Sequence, residues 1–286
     1  MQKVLVVVNS SAGRKQAIKN KKHVLNFLFK NNLKFRFTTL DEIDNIENFE
    51  YDTILVMGGD GTINKVLPLL IKTNATLGIL PCGTANLLGA NLGIPNNIKK
   101  SLKIIEKNTT KEINIAKIND KYSILRIGFG YDSDIICKTP QSLKNKFGYF
   151  AYFIAGILFG FRLKNKTYEM VIDNNNMKIN ASCIIIANAS NMFRNIVSIS
   201  KNSKLDDNLL DIFILKTQNP ILFFIEFLRI LFNDKENGML AEYLKGKNIK
   251  IANKWSCFHI DGEKMKLDKD IEISLVPQKI KVFGKK

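Results

Sequence analysis

The sequence predicts an α/β region of doubly wound type followed by a mainly antiparallel β-sandwich region. Three observations carry this expectation. From residue 3 to about residue 92, apolar strand-like runs alternate with helix-like stretches. Past Lys111, strand candidates dominate. Gly-rich loops follow three of the early strands, at the carboxyl ends where open α/β sheets bind their ligands. The 286 residues exceed one average domain, and 45% hydrophobic residues suffice for a sizeable core. The expected boundary gives a first region over 1–112 and a second over 113–286, with room for the extreme C-terminal segment to pack back on the first.

Taken in order, Lys3–Val8 is a continuous apolar run, as in a parallel strand covered on both faces. Residues 14–31 place Ile18, Leu25, Leu28 and Phe29 on one helical face. Strands are expected over 33–37, 52–57 and 76–80, and helices over 62–72 and 84–92. In the second region the expected strands are 113–118, 123–127, 167–172, 178–187, 209–216, 247–251, 256–260 and 271–275. Asn174 to Asn176 and Asp261-Gly262 suit hairpin turns. Two aromatic-rich helical stretches interrupt them, at 147–161 and 221–232. They read as core or sheet-covering elements ahead of membrane contacts.

Lys and Arg total 43 against 26 Asp and Glu, a formal charge of +17. Such an excess favours a polyanionic partner: nucleic acid, an anionic bilayer or a phosphate-rich substrate. No zinc knuckle, helix-turn-helix or aromatic-interleaved basic motif supports nucleic acid. Cys82, Cys137, Cys183 and Cys257 form no C-x-x-C pair and are read as reduced thiols of a cytoplasmic protein. The apolar N-terminal run is too short for a signal peptide, and the uncharged stretch 147–161 is shorter than the ~20 residues of a spanning helix.

The three loops are Asn9-Ser10-Ser11-Ala12-Gly13, Gly58-Gly59-Asp60-Gly61-Thr62 and Pro81-Cys82-Gly83-Thr84-Ala85-Asn86. Backbone without Cβ can approach phosphate oxygens and turn its N–H groups toward them. Helix N-termini expected at Thr62 and Thr84 add favourable partial charge. None is a Walker A loop. Asp60 suggests Mg²⁺ between carboxylate and phosphates; an equally simple role is a helix cap. Both can hold at once.

GGDGTIN (Gly58 to Asn64) followed by LGILPCGTANLLG (Leu77 to Gly89) resembles the diacylglycerol kinase catalytic-domain family, which includes bacterial soluble lipid kinases and the sphingosine and ceramide kinases. The likeness continues through Gly128-Phe129-Gly130-Tyr131-Asp132, through Leu205-Asp206-Asp207-Asn208-Leu209-Leu210-Asp211, and through Ile260-Asp261-Gly262-Glu263. It implies a fold of the NAD-kinase/diacylglycerol-kinase type and ATP-dependent phosphorylation of a lipid hydroxyl, with diacylglycerol leading. Asn9, Ser10, Ser11, Ala12, Gly13, Gly58, Gly59, Asp60, Gly61, Thr62, Ile63, Asn64, Gly83, Thr84 and Asn86 would line the ATP site. Thr38, or its neighbour Thr39, would add a contact. Glu263 would be the general base, with Asp132 beside it and Asp60 serving the catalytic Mg²⁺. Asp207, with the main-chain oxygens of Lys204 and Leu209, would hold a second, structural Mg²⁺.

The chain departs from the family at Leu87, at Phe193 to Ile196, and at Asn208, where a glycine is usual. Lys138, Lys144, Lys146, Arg162, Lys164 and Lys166 flank the stretch 147–161 and suit peripheral contact with the anionic inner face of a membrane. Strand edges in the second region leave room for a homodimer. Two rival readings remain: an NAD kinase, which shares GGDGT but not PCGTAN or DGE, and a non-catalytic nucleotide- or anion-binding member of the family.

Overall fold

The computed structural model describes residues 2–9, 16–46, 50–140, 143, 163–188, 205–232, 240–252, 257–266 and 269–285. The chain divides into two compact units, Met1–Ile113 with Gln278–Lys286, and Asn114–Pro277.

The first unit is built on a six-stranded sheet. Its strands are β1 (Lys3–Val8), β2 (Lys34–Thr39), β3 (Thr53–Gly58), β4 (Thr76–Pro81), β5 (Thr110–Ile113) and the C-terminal β18 (Ile280–Phe283), in the order β2-β1-β3-β4-β18-β5. The first four are mutually parallel, β18 continues parallel to β4, and β5 closes the edge antiparallel. Val4, Val6, Leu55 and Met57 are fully buried, which is why β1 and β3 read as unbroken apolar runs. Helices α1 (Gln16–Lys30), α2 (Asp60–Thr73), α3 (Leu87–Asn91) and α4 (Ile98–Glu106) supply the crossovers.

The second unit is a sandwich of two six-stranded sheets among the described residues. One runs β10-β9-β14-β17-β6-β7 and comprises Asn175–Ala181, Lys166–Ile172, Asn248–Ile251, Ile271–Leu275, Ala116–Ile118 and Lys121–Ser123. The other runs β13-β12-β11-β8-β15-β16 and comprises Ala241–Gly246, Leu210–Leu215, Cys183–Ala187, Arg126–Gly130, Phe258–Ile260 and Glu263–Met265. Between them lies an apolar core in which the Phe129 and Phe258 rings stack with centroids 5.5 Å apart. Helix α5 (Tyr131–Lys138) follows β8, and α6 (Pro220–Phe232) follows β12. The expected α/β region plus antiparallel sandwich is what the structure shows.

Several elements differ from expectation. The run 113–118 is not one strand: Ile113 pairs with Ile280 in the first unit, and Ala116 opens β6 in the second. The run 178–187 crosses from one sheet to the other at Ser182, whose N–H bonds the Leu215 carbonyl. Residues 123–127 break after Ser123, because the Asp261 carboxylate captures the N–H groups of Ile124, Leu125 and Arg126 at 2.9–3.0 Å. Helix α2 begins at Asp60 rather than Thr62, and α3 begins at Leu87 rather than Thr84. The stretch 147–161 and residues 193–196 lie outside the described residues.

Candidate functional site

In the first unit the parallel order β2-β1-β3-β4 changes direction of growth between β1 and β3. Sheets of this kind bind ligands at that switch point, outside the carboxyl ends of the strands. Asn9 follows β1, and its N–H bonds the Met57 carbonyl at 3.1 Å. Its side-chain amide donates to Thr62 Oγ1 at 2.8 Å, tying the first loop to the first turn of α2. Thr62 and Ile63 are buried, so Ile63 is a core residue that can offer a ligand only main chain. Asn64 and Gly61 are half-buried on the same turn. Thr38 is buried near the end of β2, in register with Val7 of β1. Ser10, Ser11, Ala12 and Gly13 lie outside the described residues.

The GGDG and PCGTAN loops meet glycine to glycine. A Cβ on Gly83 would stand 2.6 Å from Gly59 Cα and 2.8 Å from Asn86 Oδ1, so only glycine allows this approach. Asn86 sits in the left-handed region at φ 49° and is buried. Its Oδ1 accepts the Gly83 N–H at 3.1 Å, and its Nδ2 donates to Gly83 O and Asn96 Oδ1, both at 2.7 Å. Asn86 is therefore the clip that shapes the loop. Thr84, at the loop's tip, is exposed.

Asp60 reaches forward to the next helix. Its Oδ2 accepts the Leu87 N–H at 2.9 Å and its Oδ1 the Leu88 N–H at 3.0 Å, so it caps α3. This corrects the expectation that a helix N-terminus at Thr84 would be open to an anion: those first amides are satisfied by Asp60. The positive end available to a phosphate is that of α2, whose N-cap is Gly59. An ionised carboxylate has about four lone-pair sites, so Asp60 fits the single-carboxylate pattern of a Mg²⁺ bound chiefly through phosphate oxygens and water. The glycine approach and the α2 N-terminus likewise fit a nucleotide polyphosphate.

In the second unit, Asp132 lies in the first turn of α5, buried. Arg126 Nη2 reaches its Oδ1 at 3.2 Å, and His259 Nε2 lies 2.7 Å from its Oδ2. Burial alone would raise this carboxyl, but the Arg126 guanidinium and His259 outweigh it and hold the pKa at about 2. A Cβ on Gly128 would collide with both His259 and Asp132, which accounts for the first glycine of GFGYD. Gly130, at φ 66°, accounts for the second.

His259 Nδ1 accepts the Gly262 N–H at 3.3 Å, so the buried imidazole also braces the DGE hairpin between β15 and β16. Asp261 is not an exposed turn acid. It accepts Ser123 Oγ at 2.6 Å as well as the three amides that end β7. Glu263, the next residue after this braced turn, is exposed at the start of β16. Asp207 precedes β12, half-buried, and its Oδ1 accepts the Leu209 N–H at 3.1 Å. Lys204 lies outside the described residues. Among the described residues no group of three or more His, Cys, Asp or Glu side chains forms a metal cluster.

Sequence reasoning missed Arg126 and His259. His259 was the accessible one: a histidine two residues before the DGE turn, in a chain with only two histidines.

Residues 3–118 match the family model of the diacylglycerol kinase catalytic domain, and residues 126–284 match that of the YegS C-terminal NAD kinase beta sandwich-like domain. An uncharacterised protein of Synechocystis is 30% identical over 243 residues, 81% of this chain and 54% of that protein. A Salmonella arizonae protein named "Probable lipid kinase YegS" is 34% identical over 51% of this chain and 50% of its own length. The diacylglycerol kinase of Bacillus subtilis is 28% identical over 222 residues, 75% of this chain and 72% of its own. The chain thus spans about half the length of the first two. A crystal structure of a diacylglycerol kinase from Bacillus anthracis superposes with a TM-score of 0.81 at 26% identity, covering 99% of this chain and 97% of that one.

Proposed function

The chain belongs to the diacylglycerol kinase catalytic-domain family, and from that premise we propose that it transfers the γ-phosphate of ATP to a lipid hydroxyl, diacylglycerol first among the acceptors. The observation that carries this reading is the close approach of Gly59 and Gly83 at the N-terminus of α2, braced by Asp60. It provides main-chain donors and a positive helix end in one place, which is what a polyphosphate needs.

Phosphoryl transfer asks the protein chiefly for positioning and for charge aimed at phosphate oxygens. Gly59 and Gly61 offer main chain at the N-terminus of α2, and Asn9 holds the Thr62 hydroxyl in place. Mg²⁺, when bound with the nucleotide, would neutralise phosphate charge, and Asp60 is the carboxylate that would hold it. Glu263 would take the proton of the lipid hydroxyl, a contribution of about 10²–10⁴-fold. Its exposure leaves it accessible to a substrate, while His259 fixes the turn that carries it.

The acceptor would be drawn from a membrane at which the protein acts peripherally, on the cytoplasmic side. No helix among the described residues is long and apolar enough to cross a bilayer. On α6, Phe223 packs edge-on against Tyr131, while Ile221, Leu222 and Ile225 are exposed. That apolar face, in a chain of net charge +17, suits an anionic bilayer.

The deciding experiment is transfer of labelled γ-phosphate from Mg·ATP to a panel of lipids in mixed micelles, with NAD as a competing acceptor. Label on one lipid, lost in Glu263→Gln, is the expected result. Label on NAD, or bound ATP without transfer to any acceptor, would replace this reading with one of its rivals.

A further inference from the structure

The resemblance implies a structural Mg²⁺ on Asp207, but the residues around Asp207 do not fit one. Its Oδ1 accepts the Leu209 N–H at 3.1 Å, and its Oδ2 stands 3.1 Å from Lys245 Nζ. The same ammonium lies 3.5 Å from Asp211 Oδ1. Lys245 and Asp211 are direct cross-strand partners in the β12–β13 ladder, so the placement is built into the register. Asp211 is buried and also accepts the Tyr243 hydroxyl. Asn208, at φ 60°, carries the chain around the tight turn between the two acids.

A dication on Asp207 would sit a few ångströms from this fixed positive charge. In a partly desolvated setting that repulsion is large. We infer that the Lys245 ammonium is the resident cation of the Leu205 to Asp211 segment, standing where relatives of this chain would use a structural Mg²⁺. The ammonium presents three donors, enough to bridge Asp207 and Asp211. Such a cation is covalently part of the chain, so the turn keeps its charge balance whatever the divalent-metal concentration. Mg²⁺ would then serve this protein only with its nucleotide.

The test reads stability alone and is independent of the proposed phosphoryl transfer. Thermal unfolding of the full chain, without nucleotide, is compared in EDTA and in millimolar magnesium chloride. The wild-type midpoints are expected to agree within about 1 °C, since a ligand stabilises only where it binds the folded state. Lys245→Met should unfold at lower temperature in EDTA and be raised by magnesium chloride more than wild type is, because two carboxylates are then left without their cation. A magnesium-dependent rise in wild type that vanishes in Asp207→Asn would overturn the inference. A rise that persists unchanged in Asp207→Asn places that metal elsewhere and upholds it. Lys245→Met matching wild type in EDTA would also overturn it, and if that variant does not fold, the wild-type and Asp207→Asn arms still decide.

Discussion

His259 Nε2 lies 2.7 Å from Asp132 Oδ2, while the opposite ring nitrogen accepts the Gly262 N–H. Because Nδ1 accepts, the ring proton resides on Nε2 and is donated to Asp132. One fully buried imidazole therefore couples two motifs separated by more than half the second unit's sequence. Truncating it in His259→Ala leaves a buried carboxylate short of a donor and should cost about 2–4 kcal/mol of stability. If Glu263 acts from the braced turn, the rate should fall by about 10²-fold, as for a misplaced catalytic group. His259→Gln, which can still donate to Asp132, should recover most of the stability. Denaturant midpoints and kcat measured on the same preparations separate the two effects, and equal rates in all three proteins would remove His259 from any catalytic account.

Asp132 makes acid stability a direct readout of the same cluster. Its folded pKa, about 2, is depressed below the ordinary carboxylate value. The stabilisation is thus fully present above about pH 4 and is lost as pH falls through about 2. The amount is roughly 2 kcal/mol. In Asp132→Asn the stability–pH curve should lose that component of its slope between those limits. An unchanged curve would mean that Arg126 and His259 do not stabilise the ionised form.

Asp60 caps α3 and, on the proposed function, would also hold Mg²⁺, and the two duties are separable. Asp60→Ala removes the acceptor for Leu87 and Leu88 N–H and should cost about 1–2 kcal/mol, as for a lost helix cap. Asp60→Asn keeps one acceptor oxygen and should regain about half of that. Neither variant retains the negative charge, so both should lose at least about 10²-fold in phosphoryl transfer. Full activity in the asparagine variant would restrict Asp60 to capping.

The meeting of the two Gly-rich loops is testable by a single methyl group. Gly83→Ala places Cβ 2.6 Å from Gly59 Cα and must push the loops apart. Gly89→Ala, one turn into α3, meets no atom closer than 3.8 Å. The first should weaken ATP binding by about tenfold or more, and the second should leave it within about twofold. Isothermal titration with ATP gives both values, and equal affinities would show that the approach does not shape the nucleotide site.

What the sequence made legible follows from local chemistry. The strands Lys3–Val8 and Thr53–Gly58 are apolar on both faces, so their signal is complete in six residues. The loops after them were readable because glycine has few other reasons to recur there. Sheet membership was not readable. Residues 178–187 are apolar enough for one strand, and only the bonds of Ser182 to Tyr131 and Leu215 reveal the crossing. Lys245 was unreadable for the same reason, since its partner Asp207 stands 38 positions away, whereas Arg126 lies only six positions from Asp132 and His259 two before the DGE turn. Cys137 and Cys257 illustrate the limit, being far apart in sequence yet both within 3.7 Å of the Ser133 hydroxyl.

On the proposed function, the exposed face of α6 would be the surface that meets the membrane holding the lipid acceptor. Ile221 is 70% and Ile225 is 54% exposed, one helical turn apart, with Leu222 beside them at 40%. Large apolar side chains left in water on one helix face are costly unless something covers them. Inserting each into a bilayer would contribute up to about 1.5–3 kcal/mol. Replacing Ile221 and Ile225 together by Ser should therefore weaken partitioning onto anionic vesicles by at least about tenfold. Binding by basic residues falls as salt rises, whereas this apolar contribution should persist at high ionic strength. The double variant should thus differ from wild type most clearly in high salt, in a vesicle co-sedimentation assay. Its transfer rate to a short-chain acceptor dissolved in water should stay unchanged, because these side chains would contact the membrane and not the reacting groups. Loss of both activities would indicate a packing defect, and loss of neither would place the bilayer contact on another surface.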